Sequence, residues 1–150
     1  MNKLMKVLVV AVALVATVST YAQSAADKLL GVYHAVEEGK ESKIRFTKQE
    51  DGTYQGQIIW LLQPNNPDGS RKYDTKNPDP KLRQVPADQV VIVYGVRYNA
   101  EKQCWEGGKV YKPNNGKTYK VELSFSDAKT LRVKGSLGPV SLSRYWNKIE

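Results

Sequence analysis

Asp74, Asp79 and Arg83 lie within nine positions of one another in the segment DTKNPDPKLRQVP, residues 74–86. Two carboxylates and a guanidinium in one loop are equipment for acid–base work, and glycoside chemistry uses paired carboxylates. The same residue types also fasten loops. Asp74 and Asp79 suit turn caps, Asn77 belongs to the same turn-forming run, and Arg83 can pin the loop by bidentate hydrogen bonds. The clamp is the preferred reading, with a lid over a ligand as its alternative. Hydrolysis of an envelope glycan or lipid through Asp74, Asp79 and Arg83 is the runner-up function. No residue is assigned as catalytic.

Other chemistry finds little support. His34 is the one histidine, and zinc needs further His or Cys ligands at ordered spacing, which the chain lacks. No Gly-x-Ser-x-Gly turn frames a nucleophile. The oxygen-rich run NNPDGS, residues 65–70, has neither the spacing nor the terminal bidentate Glu of an EF-hand loop. Cys104 is the single cysteine, so there is no internal disulfide, and a lone thiol of this kind reads as a small buried hydrophobe. No metal and no cofactor are expected.

The chain around these residues begins with an export signal. MNKLMK supplies Lys3 and Lys6, VLVVAVALVATV is an apolar run of twelve, and Ala22 precedes the expected cut before Gln23, with Ala25 or Ala26 as fallbacks. The apolar run is too short for an ordinary membrane span, and no cysteine near the cut offers a lipid anchor. Removing residues 1–22 from the 150 leaves 128, and losing Lys3 and Lys6 lowers the formal charge from +8 to +6. That length makes one domain, residues 23–150, exported to the periplasm or beyond. The positive balance has no basic block or aromatic reading motif, so nucleic acid is not an expected partner. Oligomeric state is not legible.

Period-two alternation dominates after Gly31. KIRFTK sets Ile44 and Phe46 on one face, and YQGQIIWLL sets Tyr54, Gly56, Ile58, Trp60 and Leu62 on one face. QVVIVYGVRY is apolar on both faces. In WEGGKVY the pair Gly107–Gly108 suggests a bulge. KPNNGKTY is hairpin chemistry, and TYKVELSF puts Tyr119, Val121, Leu123 and Phe125 together. TLRVKG opposes Leu131 and Val133 to Arg132 and Lys134. In VSLSRYWNKI the inner face carries Val140, Leu142, Arg144 and Trp146. SAADKLLG forms at most a turn of helix. The expectation is an all-β, up-and-down antiparallel barrel of about eight strands, with an open sandwich as the alternative. Five of the seven prolines, Pro64, Pro67, Pro78, Pro80 and Pro86, fall between Leu62 and Val90, which makes that stretch one long ordered loop.

GVYHA, YQGQIIWLL, DTKNPDPKLR, WEGGKVYKPNNGKTY, LRVKG and SRYWNKI together resemble the bacterial domain-of-unknown-function family 2147, over essentially all of the chain from Gly31 onward. The resemblance implies a small exported lipocalin-like β-barrel and no assigned activity. Tyr33 stands where the family commonly has tryptophan. The lipocalin pattern then implies a plug in which Arg144 covers the Tyr33 ring, worth about 0.5–2 kcal/mol.

An eight-stranded barrel is either filled by its own side chains or wide enough for one small ligand. Tyr54, Trp60, Tyr119, Phe125 and Trp146 read as inward-facing with Arg144 among them, which suits a small apolar or amphipathic ligand such as a fatty acid. The third reading is a packed barrel acting as a protein-interaction module through loop aromatics such as Tyr73.

Overall fold

The computed structural model describes residues 24–150, and the export signal read at residues 1–22 lies outside them. Eight antiparallel strands close into one barrel in up-and-down order. They are β1 (Gly31–Glu37), β2 (Lys40–Lys48), β3 (Tyr54–Leu61), β4 (Val91–Asn99), β5 (Cys104–Lys112), β6 (Lys117–Phe125), β7 (Thr130–Leu137) and β8 (Val140–Lys148). Closure, rather than a sandwich, removes the free edges that an open sheet would expose. A short 3-10 turn at Asp27–Leu29 precedes β1. No helix among the described residues is long and apolar enough to cross a membrane.

The β7–β8 hairpin shows how alternation becomes inside and outside. Its register runs without a shift through Leu131–Trp146, Val133–Arg144, Gly135–Leu142 and Leu137–Val140. Leu131, Val133 and Trp146 are core residues, so all four pairs present the interior face. The intervening pairs, Arg132–Tyr145, Lys134–Ser143 and Ser136–Ser141, face outward and are largely polar.

Strand β3 departs from the simple alternation. Ile44 of β2 pairs with Ile58, but Lys43 pairs with Trp60, so Ile59 is an extra residue in the ladder. A bulge of this kind reverses the facing of everything beyond it. Trp60, expected inside, therefore lies beside Lys43 on the outer face, with the Lys43 ammonium 5.0 Å from its ring centre. Leu61 turns inward against the core in its place, and Leu62 is exposed. The bulge expected from Gly107–Gly108 is present, as a register shift between Trp105 and Gly108.

The seam between β1 and β8 is short. Paired residues are Tyr33–Lys148 and His34–Asn147, extended below by the bonds of Val32 with Ile149 and Glu150. Gly31 begins β1 at φ 134°, where a Cβ would collide with the Glu150 carbonyl, so this tight lower closure requires glycine. Above His34 the two strands continue without a ladder.

Candidate functional site

The interior divides into two halves with different construction. The lower half is filled by Tyr33, Phe46, Tyr54, Trp105 and Leu123, all 2% exposed or less. Tyr33 meets Phe46 edge-on at 5.4 Å, and Trp105 meets Phe125 in the same way at 5.8 Å. The residues just before β1 close the end beneath them. Trp105 Nε1 donates to the Ala26 carbonyl at 3.0 Å, Tyr33 Oη to that of Leu29 at 2.9 Å, and Lys148 Nζ to that of Lys28 at 2.6 Å. Tyr54 Oη and Lys48 Nζ both donate to Asp27 Oδ1, at 2.6 and 3.2 Å. These bonds hold the Asp27 carboxyl below its ordinary range, the Tyr54 bond contributing most. Burial pushes the Tyr33 and Tyr54 phenols well above the ordinary tyrosine range.

The next layers up are built from smaller residues. Ala35 and Ser42 face each other across β1 and β2 on the interior side, and Gly135 sits opposite Leu142. A side chain added at Gly135 would meet Val110 and Tyr119 only at ordinary contact distance. In this layer Leu142, and above it Val140 and Leu137, hold interior register positions yet are 54%, 70% and 62% exposed. Between the packed floor and this apolar wall sits Arg144, whose Nε donates to Glu37 Oε1 at 2.6 Å across the unladdered part of the seam. One residue pair deeper, the Nε1–H of Trp146 is buried and has no partner, although the residue is 6% exposed.

The residues expected to line a ligand site therefore separate. Arg144 and Tyr119 stand in the upper half, with Tyr119 Oη accepting from Asn115 Nδ2 at 3.0 Å, and Trp146 is buried in the core against Phe46. Tyr54 and Phe125 belong to the packed floor, and Trp60 is outside the barrel. The plug of Arg144 over Tyr33 does not form, because Arg144 is drawn to Glu37. Lys148 takes that place, its ammonium 5.8 Å from the Tyr33 ring centre and 6.0 Å from that of Phe125. Sequence reasoning missed Trp105 and the Ala26–Leu29 segment as the floor. Their signal was a helical turn immediately before a Gly-x-Tyr strand start, but nothing local says that the turn folds back beneath the barrel.

The Pro-rich loop lies along the outside. Asp74 and Asn77 are its buried polar residues. Asp74 accepts from Tyr111 Oη at 2.6 Å through Oδ1 and from Asn77 Nδ2 at 2.8 Å through Oδ2. Tyr111 is next to the interior-facing Val110, so its ring points outward, and the loop buries it there. Arg83 Nε donates to the Asn77 carbonyl at 2.7 Å, and Asp79 caps a 3-10 turn through the Lys81 N–H at 3.0 Å. Lys76 reaches the Asn114 carbonyl in the β5–β6 turn at 2.7 Å, fixing the loop's far end. Tyr73 is 47% exposed. A recess of about 90 Å³ at the root of the loop, between Lys40, Leu62 and Lys72, is smaller than ligand pockets of about 300 Å³ and above.

Two remaining groups are on the outer face. His34 Nε2 lies 3.0 Å from Glu41 Oε1. Cys104, buried, donates weakly to Glu106 at 3.7 Å with Glu122 nearby, and burial first, then these carboxylates, push its thiol upward. That surrounding makes a poor nucleophile.

A closed eight-stranded antiparallel barrel, capped at one end by the turn before its first strand, is a lipocalin-like architecture. The chain belongs to the family described as "Uncharacterized protein conserved in bacteria (DUF2147)", whose model matches residues 31–148. Among solved structures it is similar to one described as "Protein HP1028 from the human pathogen Helicobacter pylori belongs to the lipocalin family". The two are 29% identical with a TM-score of 0.66, over 81% of this chain and 83% of that one. No match was found among curated proteins. The family and the barrel expected from the sequence both stand.

Proposed function

We propose that this chain is an exported barrel that holds a small apolar or amphipathic molecule in its upper chamber. One observation carries the reading: Leu137, Val140 and Leu142 occupy interior positions while staying 54–70% exposed. Leaving apolar area in water costs about 25 cal/mol per Å², and an occupant that covers the wall recovers it. The solved relative described as a lipocalin-family protein adds to the case. Export rests on the signal read at residues 1–22.

The loop at residues 63–87 acts in this reading as a clamp. Asp74 bonds Tyr111 on the outer surface of β5 and Lys76 bonds Asn114 in the β5–β6 turn, so the loop is fastened to the outside of the barrel at its upper end. Hydrolysis through Asp74, Asp79 and Arg83 gains no support, since each of these side chains is engaged in holding the loop.

Native mass spectrometry of the protein, expressed with its own export signal and purified from the cell envelope without detergent, tests the chamber. The expected result is a retained adduct that disappears on denaturation. A bare mass at every gentle setting refutes the reading.

A further inference from the structure

Apart from the Pro-rich loop, the strands are joined by short turns, and all but one carry an acid or an amide. These are Glu38 in β1–β2, Asp51 in β2–β3, Glu101 in β4–β5, Asn114 in β5–β6 and Asp127 in β6–β7. Turns in water are ordinarily built from such residues. The exception is Gly138–Pro139 between β7 and β8, bracketed by the exposed pair Leu137 and Val140. From Leu137 to Leu142 the only polar side chain is that of Ser141.

The flank of this apolar tip is basic. On the β5–β6 hairpin, lysine stands directly opposite lysine twice, as Lys109–Lys120 and Lys112–Lys117. Like charges so placed destabilise a sheet. No ion pair among the described residues uses any of the four, and Lys117 and Lys120 are exposed. The register of β6 on β7, carried three residues past its last pair, Lys120–Ser136, leads Lys117 to Pro139. On the other flank, Lys40 is the cross-strand partner of Glu37, which Arg144 already holds, so Glu38 is the acid that opposes this positive balance.

We propose that the β7–β8 tip docks on an anionic phospholipid bilayer, with Leu137, Val140 and Leu142 entering the interface and Lys112, Lys117 and Lys120 meeting the phosphates. Leu142 lies two residues behind Val140, about 7 Å along the strand, within the roughly 5–10 Å to which interfacial segments bury their apolar side. A second copy of the chain would bring the same unpaired lysines to the contact. A soluble polyanion would leave the apolar side chains in water. A bilayer answers both features, and the like-charged pairs gain the counter-charge that the fold withholds. Docking is independent of the chamber, since an empty barrel docks as a filled one does.

Co-sedimentation with vesicles of phosphatidylcholine and of phosphatidylglycerol tests this, using the protein expressed with its own export signal and purified without detergent. We expect binding to phosphatidylglycerol about tenfold or more tighter than to phosphatidylcholine, weakening as salt rises. Lys112→Gln and Lys117→Gln each weaken it about fivefold. Val140→Ser weakens it about tenfold without moving the thermal unfolding midpoint. Ile149→Ser, an exposed apolar residue at the opposite end of the barrel, leaves it unchanged. Binding to neither vesicle, or equally to both, overturns the proposal. So does binding to phosphatidylglycerol that Val140→Ser leaves intact, which is adsorption by charge alone. A dimer in lipid-free solution that Val140→Ser dissociates gives the tip to a second copy and overturns it as well.

Discussion

Down one wall of the barrel, Leu131 and Trp146 are cross-strand neighbours and both are buried. A few residues higher in the same register, Leu137 and Val140 are also neighbours, face the same side, and stand mostly in water. The strands, their pairing and their alternation do not change between the two levels. What changes is the size of the side chains opposite and the presence of a cap. Below, large rings fill the cross-section and Asp27–Leu29 closes the end. Above, Ala35, Ser42 and Gly135 are too small to reach the wall, and nothing among the described residues covers it. A barrel of fixed strand number can thus be a packed core at one end and leave interior-register apolar residues in water at the other, decided layer by layer.

If the lower half is core, removing its largest ring must hurt most. Trp105→Ala is expected to cost about 3–5 kcal/mol in denaturant unfolding, through lost burial and the cavity left behind. A cost below about 1 kcal/mol would show that the floor is not packed as described. The outer clamp comes next. Tyr111→Phe removes the phenol donor from the buried Asp74 and is expected to cost about 1–3 kcal/mol, with earlier proteolytic cutting between residues 63 and 87. Unchanged cutting would detach the loop's order from that bond.

A smaller effect concerns the cap. The Asp27 carboxyl is held below its ordinary value of 3.8 in the folded state, so its contribution is present above that pH. It is lost as pH falls further, through the depressed folded value. The native barrel should therefore lose this share of its stability in that acid range, and Asp27→Asn should flatten that part of the pH profile. The same acid slope in both proteins would remove Asp27 from the capping role. Smallest of all, Leu142→Ser in the upper half is expected to shift unfolding by less than about 0.5 kcal/mol while abolishing the retained adduct. A large destabilisation there would make the upper wall core after all, and would erase the contrast between the halves.

Much of this architecture is written locally. Clean alternation in TYKVELSF and TLRVKG places Val121, Leu123, Leu131 and Val133 inside, where they are found. The same rule gave Trp60 the wrong side, because one extra residue at Ile59 reverses the facing and leaves no mark in the composition of an apolar strand. Arg144 was legible as an inward-facing cation, but its partner was not. Glu37 lies 107 positions away and meets it only because the barrel closes. Likewise, Asp74, Asn77, Asp79 and Arg83 were legible as loop fasteners, whereas their anchor Tyr111 reads in sequence as one more strand residue.

By itself, the sequence determined the strand periodicity, the single Pro-rich excursion, the family, and the inward line Val140, Leu142, Arg144, Trp146. Those are properties of neighbours along the chain, and a period of two or a run of prolines acts at that range. Only the tertiary structure decided which inward residues are buried and which stay in water. It also decided which cation lies over Tyr33, which face the loop covers, and that the turn before β1 is the floor. Burial is a property of the layer, set by residues from up to eight strands at once, and no window along the chain contains a layer.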